Sequence, residues 1–117
     1  MSSTTPVKHT FIVYAPDKTD PGANARRLAV RPAHIERAAT MKQEGYMKLG
    51  GAILTPESIA SESAEKKMTG SVLFFHAETI DKVRKTVESD VYYTSNVWDV
   101  EKIVIAPYAI AGGSQWP

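Results

Sequence analysis

Ser71-Val72-Leu73-Phe74-Phe75-His76 is the stretch whose reading decides the fold. It is β-branched and aromatic and follows Gly70, so it reads as the core of a strand over Gly70–Ala77. Side chains alternate along a strand, so Val72 and Phe74 face one way while Leu73 and Phe75 face the other. Both faces are therefore apolar. The run Thr10–Ala15, with Phe11, Ile12, Val13 and Tyr14, has the same character and is stopped by Pro16. An antiparallel sheet with one face in water alternates apolar with polar residues, so both faces of this sheet need cover.

Working outward from that strand, the remaining elements alternate in type. Asp17–Ala23 is turn chemistry, and Asn24–Val30 suits a short helical turn. Pro32 is placed as the first residue of a helix, where its missing N–H costs nothing; the helix runs to about Glu44, with Gly45 as its C′ residue. Tyr46–Leu54 reads as a second strand interrupted by Gly50-Gly51, and the polar Thr55–Met68 as a loop. Thr79 caps a second helix with Ile80, Val83 and Val87 on one face; Asp90-Val91-Tyr92-Tyr93 ends it. Trp98–Ala106 reads as the fourth strand, closed by Pro107. The order βαββαβ is the ferredoxin-like α+β arrangement, with a four-stranded antiparallel sheet. It occupies 8–111 as a single domain, with 1–7 a flexible lead and 112–117 a tail. Two helices cover one face of such a sheet. A second copy of the chain, in a two-fold homodimer, is the simplest cover for the other; the alternative is a loop or the tail folded across it.

A chain of 117 residues has the size of one domain and can bury a core without staples. Its formal net charge of +1 gives no electrostatic reason to expect nucleic acid as a partner. The absence of cysteine excludes thiolate chemistry, disulfides and Cys-based metal sites. Met1–Pro6 shows no signal-peptide pattern and no apolar run is long enough to span a bilayer, so a cytoplasmic protein without membrane contact is expected. There is no Gly-x-Gly-x-x-Gly, no phosphate-binding loop and no Gly-x-Ser-x-Gly, so no cofactor is expected. No histidine pair has metal-site spacing, so no metal is expected either.

Chemistry then rests on scattered residues. His34, placed by Pro32 in a first helical turn, would be kept neutral by the helix dipole and could act as a base. Spacing alone favours a solvent-facing histidine instead. His76 suits a partly buried structural position, and His9 has no assigned role. Arg26, Arg27 and Arg31 cluster where an anion could bind, or form a solvated basic face. Asp90, read as lying beyond a helix C-terminus, runs against the dipole there; it is either a plain turn carboxylate or has a specific task.

Arg27-Leu28-Ala29-Val30-Arg31-Pro32-Ala33-His34-Ile35 resembles the Arg-Leu-x-x-Arg-Pro-x-His-Leu signature of YciI-like (YCII-related) proteins. Tyr14-Ala15-Pro16-Asp17, Gly50, Thr69-Gly70-Ser71 and Pro107-Tyr108 are similar too, so the likeness runs over roughly 10–108. The resemblance implies the dimeric α+β barrel fold, which agrees with the two-faced strands. It implies a catalytic His34–Asp90 dyad, with Asp90 from an Asp-Pro-Tyr element whose proline is replaced by Val91. It also implies substrate-binding roles for Arg27, Arg31, Tyr14 and Ser71.

Under that resemblance Asp90 fixes the His34 tautomer, the other ring nitrogen moves a substrate proton, and Arg27 or Arg31 stabilises the anion that develops. The expected protein is a cofactor-free lyase or isomerase acting on a small aromatic or polyketide-like molecule by elimination, dehydration or isomerisation. A non-catalytic small-molecule-binding or stress-linked protein of the same fold stands beside it, and a cofactor-free oxygenase behind both.

Overall fold

The computed structural model describes residues 6–113. The expectations for residues 1–5 and 114–117, which are most of the flexible lead and the end of the tail, lie outside the described residues. Four strands and three helices follow in the order β1 (His9–Pro16), α1 (Ala23–Gln43), β2 (Met47–Leu54), β3 (Met68–Ala77), α2 (Ile80–Glu88), α3 (Val91–Thr94) and β4 (Val104–Pro107). The sheet is antiparallel with the order β2-β3-β1-β4. This is the expected α+β arrangement, with the two central strands being the two-faced ones.

Phe11, Val13 and Ala15 of β1 and Leu73 and Phe75 of β3 point to the helices and form the core with Met41, Met47, Val83 and Val87. Phe11 lies opposite Phe75, and Val13 opposite Leu73, so one register sets the whole inner face. An irregularity between Met47 and Leu49 makes Lys48 the extra residue of a bulge. Met47 and Gly50 consequently pair with Phe75 and Leu73, on the helix side. The other face carries Ile12, Tyr14, Leu49, Val72, Phe74 and Val104. Tyr14, Leu49 and Val104 are 42%, 43% and 49% exposed, which makes that face apolar and open in the single chain.

Three local expectations are corrected. Asn24–Val30 and the helix after Pro32 are one helix, and Pro32 lies inside it. Proline removes the N–H that would bond the carbonyl of Leu28. Both residues are on the exposed side of α1, where water can reach that carbonyl. The helix starts instead after Gly22, where Asp20 accepts the Gly22 N–H at 3.2 Å. Asp90 does not end the second helix: α2 stops at Glu88, and Asp90 is the N-cap of α3. The fourth strand is shorter than expected. Trp98 makes an isolated bridge with Asp17, a 3₁₀ turn spans Val100–Lys102, and only Val104–Pro107 joins the sheet. Gly45, at φ 78, and the Thr79 cap, which accepts the Lys82 N–H at 3.2 Å, are as expected.

Gly70 is where β1 and β3 come too close for a side chain. A Cβ there would sit 3.0 Å from the carbonyl oxygen of Ala15 and 3.1 Å from the Cα of Pro16, both backbone atoms. Gly70→Ala should cost about 1–3 kcal/mol through overpacking, read as a lower urea midpoint at unchanged m. A midpoint equal to wild type would show that the strands can part there freely.

Candidate functional site

α1 buries an unusual face. Its buried residues are Ala23, Arg27, His34 and Met41, spaced so that they share one side of the helix. Two of the four are polar, and each meets a carboxylate from another element.

Arg27 reaches the end of β1. Its Nη1 donates to Asp17, lying 2.8 and 3.0 Å from the two carboxylate oxygens, and both side chains are almost wholly buried. Its Nη2 donates to Ser71 Oγ at 3.0 Å. Burial pushes the Asp17 carboxyl above its usual range, opposed by the Arg27 charge and hydrogen bonds. Asp17 is held in turn by its backbone, whose N–H donates to Thr69 O at 2.9 Å.

His34 meets Asp90. Nδ1 lies 3.0 Å from each carboxylate oxygen, and His34 and Asp90 are 7% and 2% exposed. A carboxylate can only accept when ionised, so this contact suits a ring that donates from Nδ1. Asp90 is aimed by the turn it caps: its Oδ1 accepts the Tyr92 N–H at 2.8 Å. Val91 occupies the first position of α3, where the family proline's missing N–H is dispensable. With Val91 in that place, the cap hydrogen bond still holds the Asp90 carboxylate. The dipole argument for His34 fails, because the residue is in the middle of α1. Asp90, at the N-terminal end of α3, does not oppose a dipole either.

Tyr92 joins the two polar pairs. The His34 ring stacks on it at 4.0 Å and 19°, and the Arg27 guanidinium carbon lies 4.5 Å from its centroid. Trp98 stands edge-on to both rings, 5.6 Å from Tyr92 and 6.3 Å from His34, and its Nε1 donates to Ser71 Oγ at 3.3 Å. Tyr92 is 1% exposed, and burial raises its phenol above the usual range, which keeps the O–H protonated.

Part of this cluster borders a cavity of about 280 Å³ between α1 and β2. Arg27, Arg31, His34, Ser71 and Tyr92 line one part of it; Ile35, Met47 and Leu73 with small residues of α1 and β2 line the rest. No aspartate or glutamate is in its lining. Arg27 has its charge matched by Asp17, so Arg31 and Lys42 are the lining cations without a carboxylate partner among the described residues. Of the residues expected at the site, His34, Arg27, Arg31 and Ser71 come together around this cavity, with Asp90 behind His34. Tyr14 does not: it points to the opposite, apolar face of the sheet. Asp17, Tyr92 and Trp98 were missed as site residues. Asp17 stood in the quoted Tyr14–Asp17 motif and Tyr92 in the Asp-Val-Tyr element; nothing in the sequence marked Trp98. No group of three or more potential metal-binding side chains exists among the described residues.

The YCII-related domain family matches residues 10–106. The chain is 26% identical to Protein YciI of Escherichia coli O6:H1 over 98 residues, covering 84% of this chain and 94% of that one. It is also 26% identical over 98 residues to fusaric acid biosynthesis protein 2 of Gibberella fujikuroi, covering 84% and 90%. Among solved structures it is similar to 5-chloro-2-hydroxyhydroquinone dehydrochlorinase (TftG) of Burkholderia phenoliruptrix AC1100 in complex with 2,5-dihydroxybenzoquinone. The TM-score is 0.70 at 25% identity, with 86% of this chain and 93% of that chain covered. TftG has the dimeric α+β barrel fold.

The loop that carries Asp17 is clamped by a second pair. Arg26 donates to Asp20 at 2.7 and 2.8 Å and to the Asn96 carbonyl at 3.0 Å, while Lys18 donates to the Asn96 side chain. The Arg26 hydrogen bonds hold the Asp20 carboxyl at about 2, below its ordinary 3.8. Because the folded value is the lower one, the clamp's contribution is present above the ordinary carboxylate range and is lost as pH falls through about 2. A carbon-detected NMR titration should place the Asp20 midpoint there, and Arg26→Gln should move it up toward the ordinary value. An unmoved midpoint in the variant would remove Arg26 as the cause.

Proposed function

The chain belongs to the YCII-related family, and from that premise we propose that it is a cofactor-free lyase or isomerase that moves protons on a small planar organic molecule. The observation that carries this reading is the His34–Asp90 pair: a histidine whose Nδ1 lies against a buried carboxylate and which lines a cavity. Asp90 orients the ring and stabilises the imidazolium that forms when His34 takes a proton. Nε2 removes a proton from a carbon next to a carbonyl or ring oxygen and returns it to a neighbouring atom or a leaving group. The charge that builds on that oxygen faces Arg31, since the Arg27 charge is already paired. The relatives support the chemistry: TftG is a dehydrochlorinase with a dihydroxybenzoquinone in its complex, and another relative serves fusaric acid biosynthesis by its name. A cavity of about 280 Å³ with apolar walls from Ile35, Met47 and Leu73 has room for such a ring.

The same reading makes the protein a homodimer, in which two sheets cover each other's apolar faces. It works without membrane or nucleic-acid contact; no helix among the described residues is long and apolar enough to cross a bilayer.

Proton exchange tests the chemistry without knowledge of the natural substrate. A panel of hydroxyquinols, chlorinated hydroxyquinols and enolisable keto acids in D₂O should show enzyme-dependent deuterium incorporation or chloride release. His34→Gln should abolish it, and Asp90→Asn should reduce it by roughly 10²–10⁴-fold through loss of the correct tautomer. Exchange that persists in His34→Gln would overturn the assignment, and tight binding without exchange anywhere in the panel would make the protein a binding module.

The dimer has its own readout. Sedimentation equilibrium should give twice the chain mass for the wild type and a shift to monomer for Leu49→Lys. Leu49 is 43% exposed in the single chain, so a charge there harms only a sheet-to-sheet interface. A wild-type monomer would mean that the apolar face is covered some other way.

A further inference from the structure

The cavity beside His34 runs along α1 and differs in chemistry from end to end. Arg31 and Ala52 lie towards one end, where Ala52 pairs with Ser71 across β2 and β3. Lys42 and Met47, on either side of the turn between α1 and β2, lie at the other. The stretch between them is apolar, with Ile35 and Ala38 from α1 and Leu73 from β3. His34 and Lys42 are eight residues apart on α1, or about 12 Å along a helix axis. Long side chains on a helix lean toward its N-terminus, which carries the Lys42 ammonium toward the cavity and not away from it. Lys42 has no carboxylate partner among the described residues, and no acid lines the cavity. A lysine in the last turn of a helix also complements the helix dipole. That accounts for a cation at this position, but not for a cavity that extends from the histidine to reach it.

We infer that Lys42 is a specificity residue that binds a carboxylate at the far end of the substrate, so that the substrate is an acid whose reacting ring and carboxylate are separated by an apolar body. The ammonium is a compact charge on a flexible stem and can meet a single carboxylate without demanding a forked geometry. Apolar walls beside it lower the local dielectric, so an anion bound there is attracted more strongly than on open surface. The apolar stretch between the two ends fits carbon and leaves no polar group of the ligand's body to satisfy. A neutral hydroxylated ring alone fills only the His34 end and makes no use of Lys42. Which end holds the reacting carbon rests on the acid–base reading above, whereas the contact at Lys42 does not.

Calorimetric titration of the full-length protein at pH 7 with 4-(4-hydroxyphenyl)butanoic acid and with its primary amide tests this, because the two probes differ only in the charge at one end. The acid should bind more tightly than the amide. Lys42→Gln should weaken acid binding about 3- to 10-fold, the low end for a hydrogen bond to a charged group because Lys42 is exposed, and leave amide binding as it was. Lys42→Arg, which keeps the charge, should retain the preference, and added salt should shrink it. Ala39→Glu places a carboxylate three residues before Lys42 on the same helix, where it pairs with the ammonium; it should lower acid binding as Lys42→Gln does. 4-Hydroxyphenylacetic acid is too short to reach Lys42 from the His34 end, and its binding should be the same in Lys42→Gln and wild type. A lysine that served only the helix dipole would lower the melting temperature on substitution and leave the acid-to-amide ratio unmoved. Equal binding of acid and amide by the wild type, an unchanged ratio in Lys42→Gln, or no wild-type binding of the acid at millimolar concentration would each overturn the inference. A Lys42-dependent preference without proton exchange on any substrate would leave Lys42 as assigned and sink the lyase or isomerase reading; exchange without the preference would do the reverse.

Discussion

Arg27 leaves the buried side of α1, crosses to the end of β1 and puts one nitrogen against both oxygens of Asp17. Few arrangements are as unforgiving. Two charges taken out of water are tolerable only while they face each other, and removing one partner of such a pair costs about 3–5 kcal/mol. The pair ties the first strand to the first helix where the chain turns between them. It also fixes what lies on either side: Ser71 through the second guanidinium nitrogen, and Tyr92 through its ring face.

From Tyr92 the order passes to His34. The imidazole is packed flat on the phenol ring and bounded at its edge by Trp98, so it has little freedom to rotate. Asp90 supplies the remaining restraint, and is itself fixed as the cap of α3. The backbone of Tyr92 closes the circle: its carbonyl accepts the N–H groups of both Val97 and Trp98 at 3.0 Å. A short helix of four residues thus carries the ring under the histidine, the carboxylate beside it and the anchor for the tryptophan. The ring contacts and hydrogen bonds of this cluster come from α1, α3 and the segment after it.

The elements that the sequence misplaced are those around this circle. Pro32 looked like a helix start because proline usually is one, but its cost falls on an exposed carbonyl of a helix anchored elsewhere. Asp90 looked like the end of a helix because Val91-Tyr92-Tyr93 has no helical period of its own; its cap becomes visible only with the backbone in place. Trp98 looked like the first residue of a strand. It is drawn out of the sheet because its indole N–H needs a buried acceptor, and Ser71 provides one. Tyr14 had the right motif for a site and the wrong parity on its strand.

By itself the sequence determined the βαββαβ order, the four-stranded antiparallel sheet and its two apolar faces, because period-two patterning and turn residues are local properties. It also determined that His34, Arg27 and Arg31 were worth watching, through the Arg-Leu-x-x-Arg-Pro-x-His run. Tertiary structure alone decided which charges are spent and which are available. Arg27 and Arg31 are indistinguishable as residues four apart on one helix. One is buried against Asp17, the other is left at the cavity, and only the position of β1 beside α1 separates them. The hydrogen bonding of Ser71 is decided in the same way: its two donors arrive from residues 44 positions before it and 27 after it in the chain.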